Sequence, residues 1–72
     1  MLTSGQIRAA RALLGLRQVD LAAKAGVAEV TLKAIEHGTS DPRLSTLTKI
    51  SGALEAAGIE FRVGGVRLKS SE

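Results

Sequence analysis

The sequence predicts a mainly α-helical domain that ends in a short β-hairpin. Through residue 58, apolar side chains recur every three or four positions, which is the period of a buried helix face. Glycines follow these apolar stretches, at positions where helices commonly end. Beyond residue 58, apolar and polar residues alternate, which is typical of a strand. We therefore expect four helices followed by a two-stranded hairpin.

Helix 1 is predicted to begin after Thr3 and to end at Gly15. Thr3 and Gln6 have the spacing of a capping box, and Leu2 with Ile7 can form the hydrophobic staple around it. Gly15 is suited to the left-handed conformation that closes a helix. The predicted buried stripe of this helix consists of Ile7, Ala10, Leu13 and Leu14.

Two short helices joined by a tight turn are expected next. The first runs roughly over residues 18–25, and Gly26 suits the turn that follows it. The second runs roughly over residues 28–37 and ends at Gly38. This layout is that of a helix-turn-helix. The predicted core contacts of the pair are Leu21, Ala22, Ala25, Val27, Leu32 and Ile35.

A fourth helix is predicted after a loop over residues 39–42, where Pro42 biases its predecessor away from helical conformation. It runs to about Gly58. Its apolar positions, spaced by three and four residues, are Leu44, Leu47, Ile50 and Leu54.

The alternating tail predicts a hairpin with Gly64-Gly65 as its two-residue turn. That turn pairs Val63 with Val66, Phe61 with Leu68 and Glu60 with Lys69, so one face is wholly apolar. A lone two-stranded hairpin is marginal in water, so this face must pack on helices of its own chain or on the hairpin of a second copy. We favour the second copy, since a domain of this size has a small core. The predicted dimerisation residues are Phe61, Val63, Val66 and Leu68.

The charge distribution permits nucleic acid as a partner but does not by itself indicate one. The 72-residue chain carries a formal net charge of +3. Residues 17–43, which contain both short helices, have four acidic residues that balance four basic ones. Any affinity of this segment for a polyanion must therefore depend on where individual groups lie.

Composition argues against several other classes of protein. The absence of cysteine excludes disulfides and thiolate metal sites and fits a reducing cytoplasm, where we expect the protein to reside. No apolar stretch approaches the roughly 20 residues that span a membrane, and no signal peptide is expected. One histidine, without clustered carboxylates, offers neither a nucleophile–base pair nor a metal-ligand set. We expect no enzyme activity, no cofactor, no metal and no small-molecule ligand.

Several motifs at fixed spacing resemble the Cro/CI-type (XRE) helix-turn-helix family, to which phage repressors belong. They are Gln18-Val19-Asp20-Leu21-Ala22, Gly26-Val27, Thr31-Leu32 and Ile35-Glu36-His37-Gly38. The resemblance covers about residues 6–58. It implies a compact lambda-repressor-like bundle of four or five helices that binds double-stranded DNA, with helix 3 as the recognition helix. Residues 1–58 would form this DNA-binding domain, and residues 59–72 a C-terminal hairpin, a possible dimerisation element, with a frayed tail.

Helix 3 is predicted to expose one face that could meet base edges. With Leu32 and Ile35 pointing inward, the opposite side carries Glu29, Val30, Lys33 and His37. A major groove accepts a helix that presents such a row. Lys33 is a candidate for a base or phosphate contact. Val30 either packs on a thymine methyl group or touches helix 2, and Glu29 either accepts from cytosine N4 or repels phosphates.

Further candidates flank that face. The resemblance implies that Gln18, which opens helix 2, contacts a backbone phosphate. Ala28 stands where the family usually has Ser or Thr to cap helix 3 and touch phosphate, and loss of that cap costs about 1 kcal/mol. Arg43 reaches phosphate or the minor groove, or is simply solvated. His37 is either a phosphate contact or an ordinary surface residue.

The resemblance also implies an ion pair between Arg11 and Glu36 that bridges helix 1 to the end of helix 3. Its expected role is structural. Taken together, these features predict a sequence-specific transcriptional regulator, by default a repressor, that binds a dyad-symmetric operator as a homodimer. The alternative is a protein-binding module on the same fold, such as an antitoxin or an antiactivator.

Overall fold

The computed structural model describes residues 2–69, which form four helices and a two-stranded antiparallel hairpin. Helices α1 to α4 span Ser4–Leu14, Gln18–Ala25, Glu29–His37 and Leu44–Ala56, and strands β1 and β2 span Ile59–Arg62 and Gly65–Leu68. This confirms the predicted mainly α-helical class with a C-terminal hairpin. None of the helices in this part of the chain is long and apolar enough to cross a membrane. Residues 70–72, predicted as a frayed tail, lie outside the described residues.

The start of α1 has the predicted capping box, and Gln6 of that box also binds the hairpin. Gln6 N donates to Thr3 Oγ1 at 3.1 Å, and Thr3 N donates to Gln6 Oε1 at 2.9 Å. The Gln6 side chain is buried, and its Nε2 donates to Arg62 O at 2.6 Å and to Gly65 O at 3.1 Å. One glutamine therefore satisfies the first turn of α1 and the carbonyl groups on both sides of the hairpin turn.

The core lies where all four helices and the first strand converge. Its largest fully buried side chains are Ile7, Leu21, Leu32, Ile50, Leu54 and Ile59. The inner faces predicted for α2 and α3 are confirmed. The stripe predicted for α1 was wrong at Leu13, which is 46% exposed, because the buried face of α1 runs through Ile7 and Ala10 to the half-buried Leu14. Leu44, the first residue of α4, is 74% exposed.

The hairpin register differs from the predicted one. Phe61 pairs with Val66 and Ile59 with Leu68, so each residue of β1 faces a partner two positions earlier in β2 than expected. Glu60 accordingly lies opposite Arg67, whose Nε donates to Glu60 Oε1 at 2.6 Å, and not opposite Lys69.

The turn of the hairpin explains the shift. It is Val63-Gly64, with Arg62 paired to Gly65, and Gly64 has the left-handed φ of 75° that an L side chain tolerates poorly. Gln6 holds the carbonyl groups of Arg62 and Gly65, which flank that turn. The predicted Gly64-Gly65 turn was therefore wrong, and Val63 lies at the tip of the hairpin instead of in a strand.

The apolar face of the hairpin packs in part on its own chain. Ile59 belongs to the core, and Phe61 and Val66 pack against it. A shift by two residues keeps every side chain on the same face of a strand, so the predicted apolar face survives the change of register. Val63 is fully exposed at the tip, and Leu68 is 46% exposed.

The two turn glycines offer a matched test of this register. Alanine in place of Gly64 must adopt positive φ and should lower the free energy of unfolding by about 1–2 kcal/mol. Alanine at Gly65 has no positive φ to adopt and meets no atom within 4 Å, so its effect should be much smaller. Urea unfolding of both variants measures the difference. Equal losses would instead support the Gly64-Gly65 turn.

Candidate nucleic-acid interface

Helices α2 and α3 form a helix-turn-helix whose second helix has one buried and one exposed side. Gly26 closes α2 with a φ of 71°, and its N–H bonds back to carbonyl groups of the last turn. The buried side of α3 carries Leu32, Ile35 and Glu36. The exposed residues of α3 include all four that the sequence placed on its outer face, namely Glu29, Val30, Lys33 and His37.

The exposed face of α3 carries a weak internal ion pair. Lys33 Nζ lies 3.8 Å from Glu29 Oε2, one helical turn away, and both side chains are about half exposed at 55% and 44%. Pairs of this kind contribute about 0.3–0.5 kcal/mol, so the lysine can exchange its partner at little cost. Val30 is 73% exposed, so its methyl groups are accessible on this face and are not covered by α2.

The start of α3 has no side-chain cap. Ala28 is the N-cap residue, with extended φ and ψ of −69° and 144°, and it is exposed. Glu29 places a negative charge in the first turn, which is favourable beside the helix dipole. The uncapped N–H groups of this turn need an acceptor from solvent or from a bound ligand.

The start of α2 is organised by an exposed ion pair that the sequence analysis did not single out. Asp20 accepts from the backbone N–H of Arg17 and from two of its guanidinium nitrogens, all at 3.0 Å. The guanidinium hydrogen bond, reinforced by the backbone N–H, lowers the pKa of the Asp20 carboxyl below its ordinary value. The signal in the sequence is the i, i+3 spacing of the two charges across the helix start. The charge of Arg17, directly before Gln18, is thus locally balanced.

A single buried carboxylate joins the first three helices. Arg11 makes a bidentate contact with Glu36, from Nε to Oε2 at 3.0 Å and from Nη2 to Oε1 at 2.9 Å. Gln18 Nε2 donates to the same Oε1 at 3.1 Å. The Glu36 side chain is 2% exposed and that of Arg11 is 24% exposed. We call this set of three side chains the Glu36 cluster.

Two further side chains of α1 hold the end of α3. Arg8 Nη1 donates to the Glu36 carbonyl oxygen at 2.6 Å, and Ser4 Oγ donates to the Ile35 carbonyl oxygen at 2.9 Å. The last carbonyl groups of a helix lack partners within it, so these donors satisfy them, and the arginine also complements the dipole. Neither residue was predicted from the sequence. The available signal was their spacing in α1: Ser4, Arg8 and Arg11 are four and three residues apart, which places them on one face of the helix.

The remaining candidate residues are not members of this cluster. His37 is exposed in the last turn of α3, and Arg43 is exposed as the N-cap residue of α4. The hairpin residues Phe61 and Val63 line a hollow with Leu2 at the other end of α1. Within residues 2–69 no group of three or more His, Cys, Asp or Glu side chains is placed to hold a metal ion.

Neutralising the buried carboxylate should destabilise the fold strongly. Glu36→Gln leaves the Arg11 guanidinium without its charge partner, and breaking a buried pair in this way costs roughly 3 kcal/mol. The measurement is urea unfolding at pH 7. The control is Asp20→Asn, which removes an exposed pair and should cost far less. The pKa of Asp20 is lowered in the folded state. The small contribution of its ion pair to the free energy of unfolding is therefore present at pH 7 and disappears as the pH falls through that lowered pKa. A loss no larger in Glu36→Gln than in the control would contradict this role.

The comparisons with known proteins agree with this geometry. The helix-turn-helix family profile matches residues 7–59, which extend from the first turn of α1 to the first residue of β1 and form most of the chain. No curated protein matches the sequence. The matched region contains α2, its glycine turn and α3, together with every residue of the Glu36 cluster. The chain therefore belongs to the XRE-type helix-turn-helix family of DNA-binding regulators.

Proposed function

We propose that this regulator is a repressor that recognises a specific dyad-symmetric operator as a homodimer, with α3 in the major groove of each half-site. The observation that carries the proposal is the two-sided character of α3. Its inner side is buried against α1 and α2, while an unobstructed outer face presents a carboxylate, a branched apolar group, an ammonium group and an imidazole. These groups cover the kinds of contact that distinguish bases in the major groove.

The proposed contacts divide into those that select bases and those that position the protein. Glu29, Val30 and Lys33 are the proposed specificity residues: the carboxylate accepts from cytosine N4, the valine packs on a thymine methyl group, and the lysine donates to guanine. The weak Glu29–Lys33 pair supports this division, since both groups can part when the correct bases compete for them. The flanking residues proposed near backbone phosphates are Gln18, Ala28, His37 and Arg43.

Two considerations support the proposed homodimer, namely the symmetry of the proposed operator and an apolar groove on the surface of the chain. Half-sites one helical turn apart, about 34 Å, require two recognition helices related by a two-fold axis. Two adjoining hollows share Leu2 and Ser51 as walls and together make one groove along α4 and the hairpin tip. The apolar groove is defined by Leu2, Leu44, Leu47, Phe61 and Val63.

A second copy of the chain is the proposed occupant of this groove. Leu44 and Val63 are 74% and 108% exposed, although both are large apolar side chains. Arg62 is the one charged residue among the described residues that line the groove, and Glu60 lies 3.7 Å from its guanidinium. Two chains of net charge +3 can therefore approach here with little repulsion. Leu68 and Val66 extend the same hairpin face and are proposed as further contacts.

Repression by a homodimer needs no further site. Two helices bound in successive major grooves cover a stretch of promoter DNA and block polymerase from it. The rival function, a protein-binding module such as an antitoxin or an antiactivator, is favoured by one observation. The charges of the helix-turn-helix are largely paired within it, as in Arg17–Asp20 and Glu29–Lys33, which limits its attraction for phosphates.

Lys33→Ala should weaken DNA binding by about tenfold, or roughly 1.4 kcal/mol, which lies within the range of about 1–3 kcal/mol expected for one lost base contact. The measurement is fluorescence anisotropy at two salt concentrations with a duplex from around the protein's own gene and a scrambled duplex. Lys69→Ala removes the same charge from the hairpin and should leave affinity within about twofold. Equal losses of DNA affinity in both variants would indicate that α3 does not lie in the major groove. Weak, salt-insensitive binding by the wild-type chain would favour the protein-binding alternative.

Val63→Asp should dissociate the homodimer without disturbing the monomer, because Val63 is fully exposed and buries nothing in its own chain. Sedimentation equilibrium over a range of concentrations measures the change. Phe61 is a poorer test position because it packs against the core. The control is Leu13→Asp, which puts the same charge on an exposed apolar site outside the groove. A Val63→Asp chain that stays dimeric would exclude this surface as the interface.

A further inference from the structure

We infer that Glu36 is a positioning residue for DNA-backbone recognition, because its carboxylate fixes the orientation of the Gln18 side-chain amide. The inference rests on the proposed function and extends it. The Arg11–Glu36 pair alone would give Glu36 a purely structural role. The additional hydrogen bond from Gln18 Nε2 to Glu36 Oε1, at 3.1 Å, connects that pair to a candidate phosphate contact.

The chemistry of the two groups determines which end of the amide faces inward. A carboxylate only accepts hydrogen bonds, so Gln18 must turn its NH₂ group toward Glu36 and its carbonyl oxygen away from it. An amide at position 36 would lack this selectivity, because it could donate to the Gln18 oxygen equally well. The negative charge of Glu36, compensated by Arg11, thus selects one of two amide orientations.

The selected orientation leaves one N–H of the Gln18 amide without a hydrogen-bond partner among residues 2–69. The NH₂ group has two hydrogens, and Glu36 accepts one of them. Within residues 2–69 the Gln18 side chain has no other hydrogen-bond partner, and the residue is half-buried at the first position of α2. Gln18 is the first residue of α2, so we infer that its second N–H and the backbone N–H groups of that helix start serve the same ligand. Phosphate oxygens accept from both kinds of donor.

Fixing the amide before binding should raise affinity, since a side chain that is already ordered loses less rotamer freedom in the complex. The contribution has a distinct signature. A neutral amide releases no counterion, so its loss should weaken binding by the same factor at low and at high salt. Loss of Lys33, by contrast, should reduce the salt dependence itself.

The test is a double-mutant cycle on DNA affinity with Gln18→Ala, Glu36→Gln and the double variant. The probe is a duplex selected by the wild-type chain from a random-sequence pool, and binding is measured at two salt concentrations well below each variant's unfolding temperature. We expect Gln18→Ala to weaken binding about tenfold at both salts. In the Glu36→Gln background, the same substitution should cost less than about twofold.

A second background keeps the test decisive if Glu36→Gln does not fold. Arg11→Met with Glu36→Leu replaces the buried pair by apolar side chains of similar size, an exchange that is often neutral or stabilising. This chain retains the core but lacks the carboxylate, so Gln18→Ala should again cost less than about twofold. Side-chain amide NMR provides an independent readout: one of the two Gln18 amide proton signals should move when the Glu36 carboxylate is removed in this background, and the other should shift when the duplex is added to the wild-type chain.

The outcomes separate the two proposals. If the wild-type chain selects no duplex from the pool, the proposed function fails and this inference fails with it. If the chain binds DNA but Gln18→Ala costs the same factor with and without Glu36, the inference alone is overturned and Glu36 is structural. A tenfold loss that disappears when Glu36 is removed supports it.

Discussion

The buried carboxylate of Glu36 is the interaction on which most of the arrangement depends. Removing such a group from water is costly unless it is paired and its remaining lone pairs are satisfied. Arg11 from α1 supplies two donors and Gln18 from α2 a third, while Arg8 holds the main-chain carbonyl group of the same residue. These contacts can form together only when α1, α2 and the end of α3 have one relative placement. The carboxylate thereby helps to fix the position of α3 against α1 and α2.

Several of the positive charges of the chain are used in contacts within the protein. Its net charge is +3, yet several cations near α3 make their contacts within the protein: Arg8 and Arg11 bind the end of α3, and Arg17 is paired with Asp20. Recognition is consequently proposed to depend on uncharged donors, helix amino termini and the exposed face of α3, with Lys33 as its main mobile cation. Long-range electrostatic attraction between such a protein and DNA is weak, so the affinity depends more on the orientation of each hydrogen-bond donor.

Gln6 attaches the hairpin to the helices in a similar way, because one polar side chain again bonds to several elements. Gln6 satisfies the α1 cap and both carbonyl groups around the hairpin turn, while Ile59 carries the strand into the core. The inner part of the apolar face is thus covered by the chain itself. The tip at Val63 stays exposed, next to Leu2, and together with the start of α4 it leaves an apolar surface.

The sequence by itself determined the helices, their ends and the outer face of α3, because these depend on residues within one or two turns of each other. The capping box of Thr3 and Gln6, the glycine turn at Gly26 and the apolar period of α3 are all local, and resemblance to a family pointed to the Arg11–Glu36 pair. Only the tertiary structure decided the hairpin register, the second role of Gln6 and the bond from Gln18 to Glu36. Those bonds join residues 56, 59 and 18 positions apart, and their donors reach the acceptors only after the helices have packed.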